Sequence, residues 1–167
     1  MNARNHNLVR MHVKALMVDS NSNAPIVLLR DEELTRILPI WIGVYEANAI
    51  ALHLEGVEPP RPMTHDLAIR LIDSLEARMV RVIVNDLEDN TFFAKIVLDG
   101  ENGECIVDSR PSDAIALALR TQAPIYVAEA VLEKASHDEN TERLRDDERV
   151  KKLLEDLDPE DLGKYTM

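Results

Sequence analysis

The sequence predicts an α+β fold: a mixed, largely antiparallel sheet packed with helices in one compact domain, followed by a C-terminal helical tail. Three observations carry this. Apolar and polar residues alternate near the start of the chain, three strand-like segments with short polar turns fill the middle, and helical patterns interrupt the strands without regular strand–helix alternation. Residues 8–19 place Val9, Met11, Val13, Ala15 and Met17 on one face and Arg10, His12 and Lys14 on the other, the pattern of a half-buried strand. Asn21-Ser22-Asn23 then turns the chain into a hairpin partner running from Pro25 to Leu29. Asp31-Glu32-Glu33 is a polar break. Ile37 to Ile42 is almost wholly apolar, which suits a strand covered on both faces, and Pro39 places it at an edge, a bulge or a strand start.

A helix from about Val44 to Leu54 follows. Residues 55–62 carry three prolines and predict a stiff surface loop. Thr64 is the expected N-cap of an amphipathic helix that turns Leu67, Ala68, Leu71, Ile72 and Leu75 inward. Strands near 79–87, 91–99 and 104–108 are separated by Asp89-Asn90 and by Asp99-Gly100-Glu101-Asn102-Gly103, an antiparallel meander. A helix at Pro111–Thr121, a short strand at Ile125–Val127 and a short helix through Lys134 come next. Residues 136–146 read as a charged linker. Val150, Leu153, Leu154 and Leu157 mark a last amphipathic helix that ends at Asp158-Pro159. The expected organisation is a domain over residues 1–135 and an acidic linker plus helix over 136–167.

The chain has 167 residues and a net charge of −12. Residues 1–135 hold 13 basic and 20 acidic side chains and residues 136–167 hold 6 and 11, so the tail is the more acidic part per residue. Such a balance argues against indiscriminate, tight binding to nucleic acid, which rests on an excess of Lys and Arg. No apolar run approaches the ~20 residues of a membrane helix, and no secretory signal is evident at the start. Cys105 is the single cysteine, which excludes an internal disulfide and a cysteine-based zinc site; a buried strand thiol is expected. A cytoplasmic protein without membrane association is expected.

One phrase occurs twice. Ile40-Trp41-Ile42-Gly43 leads to a helix with Glu46 and Ala49-Ile50-Ala51-Leu52; Cys105 to Asp108 leads through Arg110 and Pro111 to a helix with Asp113 and Ala114-Ile115-Ala116-Leu117. Glu46, Asp66 and Asp113 sit at or near three helix starts, where unsatisfied N–H groups favour an acid by about 0.3–1 kcal/mol each. Helix capping alone explains each of them. In company with Arg61, Thr64 and His65, and with Asp108, Ser109, Arg110 and Ser112, they also suit a phosphate chemistry: carboxylates for a divalent cation, arginine for the phosphate, His65 for proton transfer. Arg10, His12 and Lys14 fit either a phosphate-tracking stripe or an ordinary exposed strand face. Trp41, Phe92 and Phe93 fit either stacking surfaces or core and subunit-contact positions.

The segments Leu38-Pro39-Ile40-Trp41-Ile42-Gly43-Val44-Tyr45-Glu46-Ala47, Arg61-Pro62-Met63-Thr64-His65-Asp66-Leu67 and Asp108-Ser109-Arg110-Pro111-Ser112-Asp113-Ala114-Ile115-Ala116-Leu117 resemble the bifunctional nuclease family. The resemblance covers roughly residues 8–135, and Leu157 to Tyr165 also resembles the ending of bacterial members. It implies a compact α+β domain, usually self-associating, with nuclease activity on DNA and RNA. On the matching positions it makes His65, Asp66, Asp113 and Glu46 the catalytic candidates, with His65 as acid or base. Glu46, Asp66 and Asp113 would hold a divalent cation, Mg²⁺ or Mn²⁺, and Arg61, Arg110 and Ser112 would bind substrate. The acidic charge then implies weak or selective binding of nucleic acid, with a homo-oligomer as the expected state. The competing readings are a non-enzymatic module that binds an anion, a nucleotide or a partner protein through the same pocket, and a structural subunit whose motifs serve packing alone.

Overall fold

A computed structural model describes residues 7–33 and 35–155. The strands are β1 (Leu8–Val18), β2 (Pro25–Asp31), β3 (Ile37–Trp41), β4 (Arg78–Glu88), β5 (Thr91–Gly100), β6 (Gly103–Ser109) and β7 (Ile125–Ala128). They form one sheet in the order β3-β2-β1-β7-β4-β5-β6. Two antiparallel meanders, β1–β2–β3 and β4–β5–β6, are thus joined by β7, which runs antiparallel to β1 and parallel to β4. Each meander delivers the chain to a helix: α1 (Val44–Leu54) after the first and α3 (Pro111–Thr121) after the second. The remaining helices are α2 (Thr64–Ser74), α4 (Glu129–Ser136), α5 (Glu139–Arg145) and α6 (Glu148–Glu155). The α+β class holds.

The core forms where α3 lies on β4 and β5. Val82, Val84, Ala94 and Ile96 pack with Ala114, Ile115, Ala116, Leu117 and Ala118, all buried. Val27, Leu29, Leu38 and Ile40 extend it beneath the first meander, where Ile50 of α1 reaches it. Pro39 sits on β3, an edge strand, where its missing N–H breaks no ladder.

Several expectations are corrected. Met63, not Thr64, is the N-cap of α2, because Asp66 reaches back from the third helical position to accept the Met63 N–H at 2.9 Å. The leucine stripe of α2 faces outward: Leu67, Leu71 and Leu75 are 50%, 57% and 78% exposed. Ala68 packs on the core as expected, Ile72 is half-buried, and Ile69, which lay outside the expected stripe, joins Ala68 there. Cys105 is exposed rather than buried, because β6 is a sheet edge with little covering it.

The stretch 136–146 is not a bare linker. It contains α5, capped by Asp138, whose side chain accepts the N–H groups of Asn140 and Thr141; Thr141 and Leu144 are buried. Arg143 of α5 donates two hydrogen bonds (3.0 and 3.1 Å) to Asp19, which also accepts from Ser22 and from the Trp41 indole. The Arg143 bonds, reinforced by Ser22 and Trp41, hold the buried Asp19 carboxyl well below the usual range against the opposing effect of burial. Val150 anchors α6 against Leu28 and Ile37. Leu157, Asp158-Pro159 and the ending through Tyr165 lie outside the described residues. Among the described residues no helix is long and apolar enough to cross a membrane.

Candidate active site

The three acids singled out from the sequence occupy one helical position. Val44, Thr64 and Pro111 begin their helices, so Glu46, Asp66 and Asp113 each stand third, where a carboxylate meets the free N–H groups of the first turn. Because α3 packs against both α1 and α2, these starts gather, and four of the expected residues form one hydrogen-bonded chain. Glu46 Oε1 meets Arg110 Nη1 at 2.9 Å; Arg110 Nε donates to Asp113 Oδ2 at 2.8 Å; Asp113 Oδ1 meets His65 Nε2 at 2.9 Å.

Exposure along this chain is uneven. The His65 and Glu46 side chains are 15% and 16% exposed, whereas that of Arg110 is 64% exposed. Burial alone would raise the Asp113 carboxyl, but the hydrogen bonds from Arg110 and His65 outweigh it and hold the group below the ordinary carboxylate value. Asp113 is therefore an anion that only accepts, so His65 must present Nε2–H to it. Nδ1 is left as the ring position for proton exchange. Arg110, raised above the ordinary guanidinium value chiefly by its bond to Asp113, stays charged. Gly43 leaves room for the arrangement: a Cβ there would stand 2.1 Å from Glu46 Oε2, so a side chain at this cap would push the carboxylate aside.

The other expected residues fall elsewhere. Asp66 accepts from Met63 N–H and, at 2.9 Å, from Arg120 Nε. The Met63 bond, with help from Arg120, lowers its carboxyl. Arg61 is exposed on the 55–62 loop and takes no part in the chain of bonds. Ser112 is only 6% exposed, buried in the first turn of α3 rather than presented to a substrate. Of the strand stripe, Arg10 and His12 both turn to Glu32.

As arranged, Glu46, Asp66 and Asp113 do not form one ligand set: the first two acids of the chain engage different arginines, and Asp113 shares Arg110 with Glu46. Among the described residues no group of three or more His, Cys, Asp and Glu side chains is placed to hold a metal ion. Sequence reasoning missed Arg120, although its spacing was a signal. It stands seven residues after Asp113, two turns along the same helix.

A profile of the bifunctional nuclease domain matches residues 27–140. The chain belongs to the bifunctional nuclease domain family. An uncharacterized protein of Mycobacterium tuberculosis is 43% identical over 160 residues, which cover 90% of this chain and 96% of that protein. Bifunctional nuclease 1 of Arabidopsis thaliana is 32% identical over 109 residues, and bifunctional nuclease 2 of the same plant is 30% identical over 110. These matches cover 62% and 63% of this chain but only 33% of each plant protein. The matched bifunctional nuclease segment contains α1, α2 and α3, hence all four residues of the bonded chain.

Proposed function

We propose that the protein is a nuclease that hydrolyses phosphodiester bonds of DNA or RNA at the His65–Asp113–Arg110 cluster. The observation that carries this reading is the 2.9 Å contact between His65 Nε2 and Asp113 Oδ1, with Arg110 on the other carboxylate oxygen. Membership of the bifunctional nuclease family supports it, as do the names of the plant relatives. Asp113 fixes the tautomer and orientation of His65. Nδ1 of the ring takes a proton from the attacking water, a P–O bond forms as the bond to the leaving oxygen breaks, and the proton passes to that oxygen. Arg110, the most exposed member, turns toward the phosphate. Glu46 and Asp113 leave the cluster with a net negative charge around one guanidinium, so substrate binding is weak and selective, as the overall acidity also requires.

The test is cleavage of single-stranded DNA and RNA by the purified chain, with EDTA and with added Mg²⁺ or Mn²⁺, beside His65→Ala. Loss of general acid–base catalysis lowers the rate about 10²–10⁴-fold. Equal cleavage by both proteins overturns the proposal. The exposed Arg110 guanidinium at a helix start also favours a second reading, anion binding without cleavage. Under it, calorimetry with a mononucleotide shows binding that Arg110→Ala abolishes and His65→Ala leaves intact.

A further inference from the structure

We infer that Arg120 is the positioning residue of this site: one buried guanidinium clasps α1, α2 and α3 so that His65 meets Asp113. The inference deepens the hydrolytic reading and rests on it only for its activity arm. Arg120 lies in the last turn of α3, its side chain 10% exposed. Each of its three nitrogens donates to a different acceptor. Nε binds Asp66 Oδ1 on α2 at 2.9 Å, Nη2 binds the Ala49 carbonyl of α1 at 2.8 Å, and Nη1 binds the Ala116 carbonyl of α3 itself at 2.9 Å.

Those are the three helices whose first turns carry Glu46, His65 and Asp113. On α2 the link is short. Asp66 is the neighbour of His65, and its second oxygen holds the Met63 N–H, so the carboxylate ties the first turn of α2 to the last turn of α3. The clasp matters because α2 buries none of its residues completely and presents its leucines to solvent, leaving polar bonds much of the work of seating it. Only a planar fork reaches three acceptors in three directions. A lysine supplies the charge but a single nitrogen on a flexible stem.

The experiment compares the full-length protein with Arg120→Lys, reading the His65 ring signals by NMR of histidine-labelled protein, assigned through His65→Gln. Cooperative thermal unfolding is confirmed for each variant. With the fork lost, the ring signals of Arg120→Lys move toward those of Asp113→Asn, and kcat for cleavage falls at least tenfold while KM changes less than twofold. Asp66→Asn, which keeps an oxygen for the Met63 N–H but loses the ionic link to Arg120, moves the same signals by a smaller amount. Arg78→Gln, which removes an exposed pair with Asp99, leaves them in place. His65 signals that stay at their wild-type positions in folded Arg120→Lys, while Asp113→Asn shifts them, overturn the clasp. Ring signals that respond in a protein without cleavage activity uphold the clasp and remove the hydrolytic reading; cleavage with an unmoved ring does the reverse.

Discussion

The tetrapeptide Ala-Ile-Ala-Leu occurs in α1 as residues 49–52 and in α3 as residues 114–117, and the two copies meet different surroundings. In α3 all four residues are buried, with β4 and β5 beneath them and helices alongside; in α1 only Ile50 is. The acids that open the two helices differ in the same way. Asp113 is held from two sides, by His65 and Arg110, whereas Glu46 touches Arg110 alone among these groups. Identical local sequence therefore gives a central helix in one place and a flanking helix in the other. Position over the sheet decides between them, and it also decides which acid stands beside the histidine.

The largest expected contrast lies in the two acids. Asp113→Ala removes the group that orients His65 and lowers cleavage by about two orders of magnitude or more, whereas Glu46→Ala costs less than about tenfold because His65 and Asp113 keep their contact. Comparable losses in a cleavage assay would erase the distinction. Next comes packing. Ala116→Leu forces extra volume into a fully buried site and destabilises by about 1–3 kcal/mol, while Ala51→Leu on the flanking helix costs under about 1 kcal/mol. Denaturant unfolding of both variants measures the difference.

The smallest effect is the acid response of α3. Asp113 has a lower value folded than unfolded, so its contribution is fully present above the unfolded carboxyl value of about 3.9 and is lost as pH falls through the folded value. The gap in thermal midpoint between wild type and Asp113→Asn is expected to be steady near neutrality and to shrink in acid. A gap that widens as pH falls contradicts this assignment.

The elements themselves were legible in the sequence because their signals are local. Alternation marked β1, turn residues marked the second meander, and Pro111 with the acid two residues later marked the start of α3. What escaped was non-local. Nothing in the four residues of β7 says that they pair with both β1 and β4. Periodicity gave α2 an apolar stripe, yet only its Ala68 side, with His65 and Ile69, turns inward while the leucines are exposed, because Asp113 and Arg120 bind that helix through polar atoms. The linker expected over 136–146 proved to hold a helix because two buried residues, Thr141 and Leu144, suffice for a short α5. The convergence of His65, Arg110, Asp113 and Glu46 was foreseen from their company at helix starts. The separate pairing of Asp66 was not, since its partner lies 54 residues away.

The bond between Asp19 and Arg143 bears on any attempt to excise the family-matched segment. A fragment stopped at residue 140 would lose Arg143, the guanidinium that pairs with the Asp19 carboxylate, together with the buried Thr141, Leu144 and Val150. One begun at residue 27 would lack β1, the strand that joins β2 to β7. The smallest autonomous version of this protein therefore reaches past both ends of the recognised segment, with arginine 143 as its distal fastening.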